Sequence, residues 1–207
     1  MCELTFNDEK HLYALDGQFI PSVSMIIRQG GLGADFSAIP AQVMERARNL
    51  GTAVHSACEL FDRQDLDFDA LDPNIKPYLS AWQDFNEQND FQVVGEHIER
   101  AIYSKRHWFA GRPDRIGVIN EKATIIDIKT SKKVYVQNYL QLAAYHLAYE
   151  ELYKPDYDVL CAVVLLCPDG KYKISYVEDL LDAREAFKGA IQVRKFKNKW
   201  RKEYARN

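Results

Sequence analysis

Residues 111–132 read GRPDRIGVINEKATIIDIKTSK, and the reading of this stretch decides the fold. Its isoleucine-rich runs belong in a packed core, yet Asp114, Asp127 and Lys129 stand among them. Residues two apart on a strand share a face, so Asp127 and Lys129 point one way while Ile126 and Ile128 enter the opposite layer. Asp114 follows Pro113 near the start of the preceding strand, where antiparallel pairing brings it beside Asp127. Two carboxylates at that separation repel and raise each other's pKa, so they call for a proton or a cation between them. A hard divalent cation with oxygen ligands fits. Lys129, on the same face, would steer a water or hydroxide towards an anionic substrate and offset charge on the group attacked.

Working outward, VVGEHIERAIYS, WFAGRPDRIGVI and ATIIDIKT read as three strands with polar turns at Lys105-Arg106 and Asn120-Glu121-Lys122. Connections this short predict an antiparallel meander. An amphipathic helix is expected over about 134–153, then a continuous apolar run, DVLCAVVLLC, of buried-strand type. Pro168-Asp169-Gly170 turns that run into KYKISYV, and a last helix starts near 178. Upstream, short strands surround an Asp16-Gly17 turn and a helix begins near Ser22 or Ser24. A helix over 40–62 is interrupted or divided at Gly51, and another spans about 74–89. The fold class expected is α/β in the α+β sense: a mixed central sheet flanked by helices, with an N-terminal helical extension.

A chain of 207 residues with 47% hydrophobic and 28% charged residues has the make-up of a soluble globular protein, expected as one domain over 1–207. Within it, 1–90 carries the N-terminal strands and helices, 91–177 the central sheet and its helix, and 178–207 a basic helix. No apolar run approaches the roughly 18–20 residues of a membrane span, and the acidic start resembles no signal or transit peptide. The expected location is the cytoplasm of a bacterial or phage-infected cell, with no membrane partner. Cys2, Cys58, Cys161 and Cys167 are far apart without a CxxC pair, which reads as free thiols in a reducing compartment. A net charge of −3 gives no general pull towards nucleic acid, but RKFKNKWRKEYAR at 194–206 holds seven Lys/Arg against one Glu. Lys195, Lys197, Lys199 and Arg201 are therefore candidates for DNA contact. Phe196, Trp200 and Tyr204, four apart, serve equally as core anchors or as platforms for stacked bases.

GRPD…IIDIK, as Pro113-Asp114 and Asp127-x-Lys129, resembles the bipartite core of the PD-(D/E)xK nucleases. GTAVH, Gly51 to His55, and QLAAY, Gln141 to Tyr145, narrow the resemblance to the RecB-like exonuclease branch, and HLYALDGQFIPSVSMII is similar to the opening of its phage members. The resemblance covers nearly the whole chain and implies a restriction-endonuclease-like core. It implies that His55, Asp114, Asp127 and the backbone carbonyl of Ile128 hold Mg²⁺ or Mn²⁺, that Lys129 positions or activates water, and that Gln141 and Tyr145 border the site and contact DNA. Glu59, one turn after His55, and Glu96, before the first strand of the meander, are weaker candidates, and His107 and Trp108 sit on a hairpin that could touch DNA. The implied activity is divalent-metal-dependent DNA exonuclease in phage or prophage replication, recombination or DNA turnover, with replication or recombination proteins as partners. A structure-selective or flap endonuclease, and a non-catalytic nucleic-acid-binding module on a retired nuclease fold, are the alternatives. The clustered C-terminal cysteines of iron–sulfur relatives are missing, so no cluster is expected; without a P-loop, any motor belongs to another chain.

Overall fold

The computed structural model of the chain describes residues 3–204, apart from the side chains of Val94, Lys202 and Tyr204. Cys2 lies outside the described residues. A meander of β1 (Leu4–Asn7), β2 (Leu12–Leu15) and β3 (Gln18–Ile20) leads the chain. Asp16 and Gly17 both take positive φ at its second turn, the conformation that a two-residue hairpin of right-handed twist demands. Ser22 then caps α1 (Val23–Gly30), its hydroxyl accepting from the Met25 amide.

Helices α2 (Ala41–Asp62) and α3 (Lys76–Gln88) follow. Gly51 neither interrupts nor divides α2, which runs unbroken through it. The five-stranded sheet has the order β10-β9-β8-β7-β4, from β4 (Gln92–Ile98), β7 (Arg115–Ile119), β8 (Lys122–Lys129), β9 (Leu160–Leu166) and β10 (Tyr172–Tyr176). Only β8 and β9 are parallel, joined by the crossover helix α4 (Val136–Tyr153), so the sheet is mixed as the sequence implied. Helix α5 (Leu180–Tyr204) ends the described chain.

Two layers cover the sheet. Ile126 and Ile128 pack with Trp82, Phe85 and Val54 under α2 and α3, while Ile125 packs with residues of α1, α4 and α5. Burial on both faces explains the near-continuous apolar β8. Helix α4 reads as amphipathic but is buried over most of its circumference; Ala143, Ala144 and Ala148 let sheet and neighbouring helices approach together.

The simple three-strand meander is corrected. Neither long strand continues through its middle: β5 (Ile102–Ser104) and β6 (Phe109–Gly111) form a separate hairpin between β4 and β7. The reasons are local. Glu99 takes a positive φ, and Pro113 has no amide proton to give a ladder. The hairpin leaves the sheet and packs Ala110 with Tyr13, Leu15 and Ile20 of the N-terminal meander, next to its bridge with Ser22 at the start of α1.

Candidate active site

The register of the sheet builds the site. Arg115 pairs with Ile126, which carries Asp114 opposite Asp127 as expected. One Asp114 oxygen accepts from the Ile128 amide at 2.5 Å, pinning the carboxylate over β8. Its other oxygen lies 3.3 Å from Nδ1 of His55, delivered by α2. Lys129 Nζ is 2.6 Å from Asp127 Oδ1, while Asp127 Oδ2 is buried without a hydrogen-bond partner.

Glu99 is the residue that sequence reasoning missed. Ile98 pairs with Arg115, so continuing the register sets Glu99 opposite Asp114, and the Glu99 amide donates to the Asp114 carbonyl at 3.0 Å. Arg112 and Arg115 hold its carboxylate at 3.0 and 3.5 Å. Ligand atoms of His55, Glu99 and Asp114 lie within 4.8 Å of one another, the one such group of three among the described residues. Glu96, the weaker candidate from the sequence, sits in the irregular part of β4, exposed and paired with Arg100 at 2.9 Å. The inserted hairpin hid the pairing; reading β4 across β7 would have selected Glu99.

The pocket above these groups has a volume of about 500 Å³. Tyr13 of the N-terminal meander, Arg48, Gly51 and Glu59 of α2, and Gln141 and Tyr145 of α4 contribute to its wall. Glu59 is bound to Arg63 at 2.9 Å. Gln141 Nε2 donates to the Tyr145 hydroxyl at 2.7 Å, so the expected pair does share a face and border the site. Gly111 is required there: a Cβ on it would stand 2.5 Å from the Tyr145 ring. Lys195, Lys197, Lys199 and Arg201 are on α5 and do not line this pocket.

Electrostatics separate the carboxyls. Burial, with Asp114 adding to it, pushes Asp127 up to about 6 against the pull of Lys129. Burial and then Asp114 push Glu99 up to about 7, against Arg112 and Arg115. For Asp114, burial is overcome by His55 and Lys129, and its carboxyl is held well below the usual range. Burial of Lys129 is outweighed by Asp127 and Asp114, which raises its pKa and keeps the ammonium charged. For His55, burial is likewise outweighed by Asp114, and the imidazolium is favoured.

These residues fit a divalent cation. Glu99, held by Arg112 and Arg115, joins two further carboxylates that share one lysine and one histidine, an oxygen of Asp127 has no donor, and a nitrogen with two carboxylate oxygens already converge. A second buried ion pair lies beside them, Arg115 Nε to Asp62 at 2.5 Å, with Trp82 Nε1 donating to the same carboxylate at 2.9 Å.

No curated protein matches the chain. Among solved structures it is similar to an alkaline exonuclease (LHK-Exo) from Laribacter hongkongensis, at 13% identity and a TM-score of 0.36 over 64% of this chain and 76% of that one. It is also similar to SSO0001, at 18% identity and a TM-score of 0.31 over 56% of each chain. The family model of the PD-(D/E)XK nuclease superfamily matches residues 29–206, which include His55, Glu99, Asp114, Asp127 and Lys129. The chain belongs to the PD-(D/E)XK nuclease superfamily.

Proposed function

We propose that this chain is a divalent-metal-dependent deoxyribonuclease that removes nucleotides from DNA ends. The observation that carries the hydrolytic reading is the convergence of His55, Glu99 and Asp114 beside an Asp127–Lys129 pair whose outer carboxylate oxygen has no donor. His55, Asp114 and Glu99 would hold the cation, with Asp127 Oδ2 and the Ile128 carbonyl as further ligands. When bound, Mg²⁺ or Mn²⁺ polarises the scissile phosphate and lowers the pKa of the attacking water. The single imidazole makes Mn²⁺ an effective substitute.

The chain's own groups do the rest. Lys129, charged through the neutral range, donates to the water and offsets charge gathering on the phosphate; a raised pKa makes it a poor general base. Asp127 Oδ1 fixes the direction of that ammonium. Gln141 and the Tyr145 ring form the wall along which the strand lies. The preference for ends draws on the RecB-like motifs GTAVH and QLAAY, and the phage or prophage setting, in replication, recombination or turnover inside the cell, draws on the opening segment. Among the described residues no helix is long and apolar enough to cross a membrane.

The test is cleavage of end-labelled linear DNA, single- and double-stranded, beside covalently closed circles, in EDTA, Mg²⁺ or Mn²⁺. Asp127→Ala and Lys129→Ala run in parallel. Metal-dependent loss of linear DNA alone, abolished in both variants, is the expected result. Cut circles would make the enzyme an endonuclease, and binding without any cleavage would make it a retired nuclease fold.

A further inference from the structure

The basic C-terminal helix carries a feature that the pocket does not use. Phe187, Ala190 and Ile191 anchor α5 against α1 and α4, and Arg194 Nε reaches Gln29 Oε1 of α1 at 2.8 Å. The opposite side of the helix faces outward, where Val193, Phe196 and Trp200 are 40%, 69% and 51% exposed. Of the two roles open to these aromatics, core anchoring is thereby removed for Phe196 and Trp200. Large aromatic rings held at the surface on a fixed helix need a reason, because exposure forgoes their burial.

Charge supplies the reason. The stripe runs between basic residues: Lys195 and Lys199 on one flank, Lys197 and Arg201 on the other. Lys197 also donates to the Gln29 carbonyl at 2.9 Å, and Lys199 lies 3.9 Å from Glu203, the acidic residue of this region. The basic character belongs to α5 itself: the neighbouring hollow at the β5–β6 turn sets Arg106, His107, Arg184 and Lys188 against Glu150 and Glu151, with Arg184 bound to Glu150 at 2.7 Å and Lys188 to Glu185 at 2.6 Å.

We propose that the outer face of α5 binds single-stranded nucleic acid, with bases stacked on Phe196 and Trp200 and phosphates on the flanking lysines. Aromatic platforms beside cations recognise any strand whose base faces are open. Phe196 and Trp200 are one helical turn apart, about 6 Å along the axis, against about 3.4 Å between stacked nucleotides. That spacing suits an extended, unstacked strand rather than a duplex. A membrane surface is the poorer fit: the apolar stripe is three side chains wide in total, with Gln192 and Glu203 close by, whereas interfacial helices bury a broad apolar face. Binding here requires neither cation nor cleavage, so it stands apart from the hydrolytic reading.

The experiment is fluorescence anisotropy in EDTA with labelled oligothymidylate of about 20 nucleotides, a duplex of equal length, and phosphatidylserine-containing vesicles. Circular dichroism and melting verify that each variant is folded. Phe196→Ala combined with Trp200→Ala is expected to weaken single-strand binding at least about tenfold and duplex binding far less. Lys195→Ala with Lys199→Ala should flatten the salt dependence of single-strand binding by about 1.4 in log–log slope. Unchanged single-strand affinity in the folded aromatic variant overturns the proposal, as does an equal loss on duplex. Loss of vesicle binding with oligonucleotide binding intact also overturns it and makes the stripe a membrane face. If single-strand binding depends on the stripe yet no cation supports cleavage, this proposal stands and the hydrolytic one falls.

Discussion

Two buried charge clusters sit side by side in this molecule, and they are built in opposite ways. In the first, Arg115, fully buried, meets Asp62 in an ion pair, donates to the Asp114 carbonyl at 2.5 Å, and leans over the Trp82 ring at 5.8 Å. Charges nearly balance there, and Asp62 has two donors. In the second, Glu99, Asp114 and Asp127 crowd around Lys129 and His55, and an acceptor of Asp127 stays unmatched. The first cluster pairs opposite charges from within, although Nη2 of Arg115 is buried without a hydrogen-bond partner; what sets the second apart is its crowding of carboxylates. The second is finished only by something brought from outside, which distinguishes a cluster that holds the fold from one prepared for a ligand.

The contrast is broken most sharply by paired substitutions. Asp127→Asn should lower the cleavage rate by at least about a hundredfold, since it removes the negative charge facing Lys129 and replaces one carboxylate oxygen with an amide nitrogen that cannot ligate a cation, while the melting temperature stays within about 2 °C. Arg115→Met should do the reverse in stability, costing about 3–5 kcal/mol by stranding Asp62 and Glu99 in the interior. Chemical denaturation and initial rates on the same preparations check both. If Arg115→Met melts like the parent, the division between the clusters is wrong.

Added cation sharpens the comparison next. At a hundred times its Kd, Mn²⁺ should stabilise the fold by about 2.7 kcal/mol, an increment lost in Asp114→Asn. The sign with pH follows from the raised carboxyls. In the cation-free fold Glu99 keeps a proton up to about 7 and Asp127 up to about 6, and loading the cation must expel them. At a fixed Mn²⁺ concentration the increment should therefore be larger at pH 8 than at pH 5.5, as read by melting with and without EDTA. The smallest effect expected is that of Gly111→Ala, which should cost about 1–3 kcal/mol by forcing the Tyr145 ring to shift, and should raise KM more than it lowers kcat.

Much of this was legible in the chain. Asp127 and Lys129 announced a shared face through the period of β8, and the tight turn at Asn120 and Glu121, both at positive φ, fixed the register that sets Asp114 opposite Asp127. His55 and the Gln141–Tyr145 pair came from motifs, and the structure brings all three to one pocket. Three things were hidden. Glu99 was hidden by the hairpin between it and Asp114. The Asp62–Arg115 pair joins residues 53 apart, a distance over which periodicity says nothing. The aromatic stripe of α5 had a visible spacing, but spacing does not tell which side of a helix the core will occupy.

The hairpin has one further consequence, for engineering. It departs after Ile98 and rejoins at Arg115, a facing pair, so the excursion is closed at its base by the sheet itself. Its length is thereby uncoupled from the register of β4 against β7. Extra residues between Arg106 and His107 would lengthen a closed loop at a small entropic cost and leave Glu99 and Asp114 in place. Deleting Ile98 would instead shift the chain by one position and turn the Glu99 carboxylate away. Affinity tags, reporter peptides or a fused recognition domain can enter at the tip, whereas the two-residue base tolerates no change of length.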